Sequence, residues 1–479
     1  MSANAAIRLR ILHTNDIHSR FEHMAAIAAI IKRLRTEAGE DCTLTLDIGD
    51  HMDRVRPETE GTMGHANVAV LNATGYDAVT IGNNEGLTLT AEALADAYRE
   101  AAFAIVLANM PQSASGNHAP WAKPWHIVEK AGVRFGLIGV TACFPEFYSL
   151  LGWDVQEPME VLRRLVPELR SRVDVIVVLS HLGLRYDERL AAEVPGIDIV
   201  LGGHTHHLLE QPIRIGGAAV CAAGKFGQYV GMVDLEWDAR LRTLRKVEAT
   251  VIPVPEMPRD ERVAMLIEQA SAAAAARLGQ VVARLPIDMP VDWYGESKLG
   301  NLLAAGLRTF TEAEIGLVNS GQLLHGLSQG PLTAGMLLEL CPSPINPCRV
   351  MLTGAQLLLA LEQSLLPEFM DKPLFGFGFR GKVLGCLCVD GMDIEYDPQA
   401  EPYRKIRNVA VGGRPLLSEQ LYAVGMIDMF TFKIGYESLS EGTEVQFFLP
   451  EFIRDVLLRE LLDQKALLAS GRKRFVKLL

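Results

Sequence analysis

Five short apolar runs in the first half of this chain each lead into a residue type that ligates metals, and this recurrence narrows the folds open to it. Ile7 to Leu12, with Ile7, Leu9 and Ile11 alternating, leads into Asp16 and His18. Cys42 to Ile48 ends at Asp50 in DIGD, and Asp77 to Ile81 leads into Asn83 in GNNE. The strand 173–179, unbroken in its apolar character from Val175 to Leu179, reaches His181, and Ile197 to Leu201 reaches His204 and His206 in GHTH. An unbroken apolar run of that length suits a strand buried on both faces. Helical spacing at Met24 to Leu34 and near Gly64 to Asn72 separates the runs. Further strand-like runs lie at Ala104 to Leu107, Val133 to Val140 and Ala218 to Ala222. The alternation predicts an α/β fold. In open α/β sheets, sites are built at the carboxyl edge of the strands, where these side chains fall.

A chain of 479 residues holds more than one domain. The stretch VIPVPEMPRD, with prolines at 253, 255 and 258, predicts a break in regular structure. A long helical segment follows from Asp260 to about Arg284, with an alanine run at 272–276. A second α/β region spans about 285–450, and Phe452 to Leu479 has the period of a solvated amphipathic helix with a basic GRKR end. The expected division is 1–255, a linker helix at 256–284, and 285–479.

The net charge of −12 argues against a nucleic-acid polymer as partner, since such a partner needs a basic surface. It leaves room for a small phosphorylated substrate, because bound divalent ions supply positive charge locally. No run of about 20 apolar residues is present, so no membrane span is expected. The seven cysteines include no C-x-x-C pair, and the N-terminus has no apolar secretory region. A cytoplasmic location is the expectation.

Asp16, His18, Asp50, Asn83, His181, His204 and His206 make a mixed nitrogen and oxygen donor set. Such a set suits Zn, Mn, Fe or Co without choosing among them. Two divalent ions about 3.5–4 Å apart need a bridging anion, and Asp50 is the candidate. A single zinc already brings the pKa of bound water to about 7, so a pair of ions has a hydroxide available as an in-line nucleophile toward a phosphoester. D-x-H, GHTH or GNNE alone would be a common turn or cap; their joint occurrence after successive strands is what carries weight.

The motifs LHTNDIHS (12–19), DIGD (47–50), GYDAVTIGNNE (75–85), LSHLG (179–183) and GGHTH (202–206) resemble those of the calcineurin-like metallophosphoesterases. More closely, they resemble the two-domain, UshA-like bacterial 5′-nucleotidases. KLGNLLAAGLR (298–308), IGLVNSGQL (315–323), GPLTAGML (330–337) and LTGAQLLLALEQS (352–364) extend the resemblance into that family's C-terminal substrate domain. The resemblance implies a four-layer αββα N-terminal domain and a C-terminal α/β domain that holds the nucleoside and swings to close over the metals. It assigns Asp16, His18 and His206 to one ion, Asn83, His181 and His204 to the other, and Asp50 to the bridge.

The chain also departs from this pattern. Where the family reads GNHEFD, this chain reads GNNEGL, so Asn84 replaces a histidine that assists the leaving group and Leu87 replaces the aspartate that orients it. An amide donates a hydrogen bond but no proton, and general acid–base help is typically about 10²–10⁴-fold. The expectation is a slower enzyme, one that prefers better leaving groups, or one that recruits His51 or Arg54 in GDHMDR. The family's NGGGIR-like loop becomes NSGQLL at 319–324, without its arginine. Asn346 remains of a P-F-x-N segment, now PSPIN. Arg380 in FGFGFRGK is a candidate phosphate contact, and Phe430 or Phe432 a candidate base-stacking ring. Hydrolysis of a nucleotide leads. A cyclic nucleotide, a nucleotide-sugar or other pyrophosphate, a non-nucleotide phosphoester, and a weakly catalytic ligand-binding role are the alternatives.

Overall fold

Two β-sheets share one apolar core in the first part of the chain. The protein is described here from a computed structural model covering residues 6–478. The seven-stranded sheet runs Thr243–Pro253, Tyr229–Asp238, Ile7–Thr14, Thr43–Asp47, Ala78–Val79, Ala104–Val106, Ala122–Lys123. The six-stranded sheet runs Ile213–Ile215, Ala218–Ala222, Ile199–Gly202, Val175–His181, Val133–Thr141, Trp125–Lys130. Alternation along the strands decides which side chains meet. Leu9, Ile11, Leu44 and Leu46 of one sheet pack with Leu137, Val177, Leu179 and Leu201 of the other. Each such burial contributes about 1.5–3 kcal/mol.

The opposite face of the six-stranded sheet, with Ile138, Val140, Ile176 and Val178, is covered by the helices Pro158–Arg170 and Leu184–Glu193 through Leu162, Val166 and Leu190. The helix Phe21–Ala38 packs on the strands Ile7–Thr14 and Thr43–Asp47 and buries Met24, Ile27 and Ile31. The layers are therefore helix, sheet, sheet, helix, as the resemblance implied. The central strands of each sheet are parallel. Thr14 pairs with Asp47, Asp47 with Val79, Thr141 with His181, and Ser180 with Gly202. This register places the carboxyl ends of the ligand-bearing strands in line at one edge of each sheet.

The chain divides into two compact units, Met1–Ala275 and Ala276–Leu479. In the second, a five-stranded sheet is ordered Leu387–Asp390, Ile315–Asn319, Leu421–Ile427, Pro347–Thr353, Thr443–Phe447. The helix Lys298–Phe310 lies against three of its strands and is capped by Ser297, whose hydroxyl accepts from Gly300 N. Gly300 permits that close approach, because a Cβ there would stand 2.2 Å from the Cys388 sulfur.

Three local expectations need correction. The helix predicted to about Arg284 ends at Leu278, and Val281–Leu285 is a strand paired with Gly330–Thr333. Gly279 breaks the helix, and the β-branched Val281 and Val282 favour the extended form. The terminal segment is not one solvated helix. Helices Ile453–Leu461 and Gln464–Ala469 are followed by a strand, Phe475–Lys477. Arg474 of the basic GRKR end is buried, bonded to Asp390 at 2.8 Å and to the carbonyls of Ala469 and Ser470. The strand Thr243–Pro253 also runs into the first of the three prolines. It is an edge strand, where a missing N–H is tolerated. No helix among the described residues is long and apolar enough to cross a membrane.

Candidate metal centre

Asp16, His18, Asp50, His204 and His206 all have positive φ, between 48° and 73°. For residues other than glycine this costs about 1–3 kcal/mol each and persists only where the surroundings enforce it. The enforcement is visible. The Asp16 and His18 amides donate to the carbonyls of Gly49 and Asp50, at 3.0 and 2.8 Å, locking the two ligand loops together. Gly82 lies so near Asp50 that a Cβ would come within 2.0 Å of Oδ1. Glu85 accepts from the amides of Gly82 and Asp50 through one oxygen and from Met52 through the other, at 2.9–3.0 Å.

These loops bring the side chains together in two groups. Asp16, His18 and His206 form one, and Asp50, His181 and His204 the other, each with ligand atoms within 4.8 Å of one another. His18 Nε2 stands 3.2 Å from His206 Nε2, and His206 Nε2 stands 3.4 Å from Asp16. Asp50 Oδ2 lies 3.3 Å from His181 Nε2 and 3.8 Å from His18 Nε2, so it touches both groups. Asn83 Oδ1 and His181 Nε2 are buried with no hydrogen-bond partner.

The charges are equally specific. The Asp16 and Asp50 carboxylates are buried, and among the described residues their ion-pair partners are histidines only. Burial works against the His181 imidazolium, but Asp50 and Asp16 outweigh it and take its pKa up to about 10. Burial likewise opposes ionisation of Asp50, and His181 outweighs it, holding the Asp50 pKa below the usual range. His204 is held down at about 4 by burial and by His181. A cluster that draws protons onto a buried imidazole to balance two carboxylates is one in which a cation replaces those protons favourably. The buried Asn83 Oδ1, which has no hydrogen bond, and this charge balance fit divalent metal. The remaining ring nitrogens are oriented from behind. His181 Nδ1 is 2.7 Å from the Ile48 carbonyl, and His18 Nδ1 is 3.4 Å from Asp53 Oδ2, which leaves each Nε2 directed at the cluster.

The remaining candidates are placed differently. Asn84 adjoins the cluster, with its amide N–H donating to Asp50 Oδ1 and its side-chain nitrogen 2.8 Å from His18 Nδ1. His51 is buried beside Asn67, and burial lowers its pKa to about 3. Arg54 makes a two-pronged pair with Glu60, at 2.6 and 3.0 Å, and donates to the Thr88 carbonyl. In the second unit Asn346 is buried and donates to the Glu451 carbonyl. Phe430 is 0% exposed against Tyr436, which corrects its reading as a base-stacking ring, since a ring enclosed in the core has no free face. Phe432 is 39% exposed and lies 5.8 Å from Phe377, 53% exposed. The Arg380 backbone amide donates to Ser343, and its guanidinium donates to the Phe379 carbonyl.

Several supporting residues escaped the sequence reading. Glu85 shows only as the fourth letter of a cap-like GNNE. Asn15, which donates to Asp16 at 2.7 Å, and Asp187, which accepts from Ser180 beside His181, carry no separate signal.

The pattern of the calcineurin-like phosphoesterases matches residues 9–208, and that of the 5′-nucleotidase C-terminal domain matches residues 277–440. The uncharacterized metallophosphoesterase YunD of Bacillus subtilis is 37% identical over 94% of this chain and 98% of its own length. A 5′-nucleotidase of Vibrio cholerae is 24% identical over 71% of this chain and 72% of its own. The structure of the Haemophilus influenzae NAD nucleotidase shares the fold, with a TM-score of 0.71 at 15% identity over 99% of this chain and all of that one.

Proposed function

The chain belongs to the calcineurin-like phosphoesterases that carry a 5′-nucleotidase C-terminal domain, which makes it a metal-dependent phosphoester hydrolase, and from this premise we propose that it hydrolyses small nucleotides at the centre built from Asp16, His18, Asp50, Asn83, His181, His204 and His206. The observation that carries the assignment of the centre is Asn83 Oδ1, buried without a hydrogen bond, beside two carboxylates whose ion-pair partners among the described residues are histidines only. Asp16, His18 and His206 would hold one ion, Asn83, His181 and His204 the other, with Asp50 between them. Two divalent ions held there would supply charge neutralisation to the phosphoryl oxygens and lower the pKa of water.

The protein's own groups do the rest. The Asn84 backbone N–H holds Asp50 Oδ1, and Glu85 holds the backbone amide of Asp50. The Asn84 side chain, whose nitrogen lies beside His18 Nδ1, is an amide with no proton to give a leaving group. The leaving oxygen therefore departs with a hydrogen bond at most, and the rate depends on how well it carries negative charge. His51 and Arg54 support the loop that bears Asp50. In the second unit, the exposed rings of Phe377 and Phe432 offer a surface for a nucleobase. Support for nucleotides comes from the 5′-nucleotidase relatives. All seven cysteines are free thiols, which supports a reducing compartment.

The test is turnover of the protein loaded with Mn, Co or Zn on nucleoside monophosphates, cyclic nucleotides, nucleotide-sugars and an aryl phosphate. The expected ranking places the aryl phosphate ahead of alkyl phosphoesters, and Asn84→His narrows that gap by about 10²-fold or more. Absence of turnover with every metal would refute the reading and leave a ligand-binding protein.

A further inference from the structure

The loop 223–227 is fastened at three points to the ligand loop and at a fourth to the helix Phe21–Ala38 that follows it. Asn15 accepts from the Ala223 amide at 2.9 Å and donates to the Gly224 carbonyl at 2.7 Å. The Phe226 amide donates to the Asp16 carbonyl at 2.7 Å, and His23 Nδ1 lies 2.6 Å from the Phe226 carbonyl. Phe226 has φ 61°, a conformation a large side chain takes only when held there. The result is a ring set against two of the metal-type imidazoles, its centroid 5.6 Å from that of His18 and 6.2 Å from that of His206.

Two cations lie over this ring. Arg20 Cζ and Lys225 Nζ are each 4.8 Å from its centroid, within cation–π range. Arg20 comes from the loop that carries Asp16 and His18, and Lys225 from the loop tied to it. Among the described residues Lys225 has no carboxylate partner. The carboxylate nearest Arg20 is Glu22 at 3.5 Å, and Glu22 also pairs with Arg56 at 3.0 Å. Two partly buried cations on one ring repel each other, and the one carboxylate beside them, Glu22, is shared with Arg56 and leaves Lys225 unrelieved. An anion at that spot does. The seven ligand residues already account for the charge that meets the reacting phosphoryl group, so these cations are surplus to it. In the second unit NSGQLL, at 319–324, offers no arginine to take that role.

We propose that Arg20 and Lys225, seated on Phe226, form a subsite for a second anionic group of the substrate, adjoining the phosphoryl group at the metal centre. The substrate class this selects is compounds with two linked phosphates, nucleoside diphosphates or nucleotide pyrophosphates, in preference to monophosphates. The inference rests on the hydrolase reading above, and the experiment separates the two.

The full-length protein with saturating metal is assayed for turnover of AMP and ADP, and for binding of inorganic phosphate and pyrophosphate by calorimetry. The wild type favours ADP and pyrophosphate. Losing one charged contact weakens binding on the order of tenfold. Lys225→Ala and Arg20→Ala should each lower the pyrophosphate-over-phosphate preference by about that factor, and raise KM for ADP with little change in kcat. Lys225→Arg should keep the preference. A ratio that neither variant moves, or affinities for both anions that fall equally, would overturn the subsite. Turnover with an unmoved ratio defeats the subsite and leaves the hydrolase. A ratio that moves in a protein turning over neither nucleotide defeats the hydrolase reading and keeps the subsite.

Discussion

In the first unit, the polar residues that end the parallel strands converge on one cluster; in the second, residues singled out on comparable grounds turn inward and serve the fold. Asp16, Asp50, His181, His204 and His206 come from four loops and meet in two adjoining groups, each with its ligand atoms within 4.8 Å of one another. Asn346 and Phe430 sit in the second unit as buried supports, one bonded to the Glu451 carbonyl and the other packed on Tyr436. The difference is one of physical constraint. Parallel strands in register must deliver their ends to a common edge, so a ligand-type residue after each strand already specifies a place in space. A lone aromatic or amide in a loop specifies nothing until tertiary packing decides whether it faces solvent or core.

The largest effect expected from this contrast is at Asp50. Asp50→Ala should abolish turnover, with a loss well beyond the roughly 10–100-fold of an outer-shell change, while the second unit's stability is untouched. Activity within tenfold of wild type would break the comparison.

Phe430 and Phe432 sharpen it inside the second unit. Phe430→Ala should lower unfolding stability by about 3–5 kcal/mol, the usual result of emptying a packed aromatic site. Phe432→Ala should change stability by less than about 0.5 kcal/mol and raise KM for nucleotides relative to an aryl phosphate. The reverse pattern in denaturant and kinetic measurements would mean that Phe430, not Phe432, meets substrate.

Asp428, which accepts from the Asn346 amide, gives a pH test of the same interior. Burial pushes its pKa up to about 7 from an ordinary 3.8. Between those values the folded form holds a proton that the unfolded chain has released, so stability contributed at low pH is lost as pH rises through 7. A tenfold change in proton affinity corresponds to about 1.4 kcal/mol. Asp428→Asn should flatten the stability of the second unit between pH 4 and 8; an unchanged slope in denaturant titrations would place the titration elsewhere.

Glu85 carries a smaller effect than Asp50, because it meets the centre through backbone amides. Glu85→Gln keeps two acceptor contacts at most and should weaken metal affinity by about 10–100-fold, read by competition with a chelator.

Much of the first unit was legible because its information is periodic. The strands Ile7–Thr14, Thr43–Asp47, Val133–Thr141 and Val175–His181 follow from apolar runs, and each ligand follows its strand. What escaped the sequence lies where one local signal masks another. The alanine-rich run masks the strand Val281–Leu285, although Gly279 separates the two. The basic end at 471–474 looks like a solvated terminus, and only the fold shows Arg474 buried on Asp390. Glu85 and Asn15 act through the backbone of neighbouring loops, and such contacts have no spacing rule to reveal them.

The most direct test of the convergent metal centre is the number of divalent ions held per chain, measured by metal analysis after equilibrium dialysis against Mn or Zn. The expected result is two ions in the wild type, with His206→Ala and His204→Ala each retaining one and Asp50→Ala weakening both. A wild type that holds no ion, or a stoichiometry that none of these substitutions changes, would contradict it.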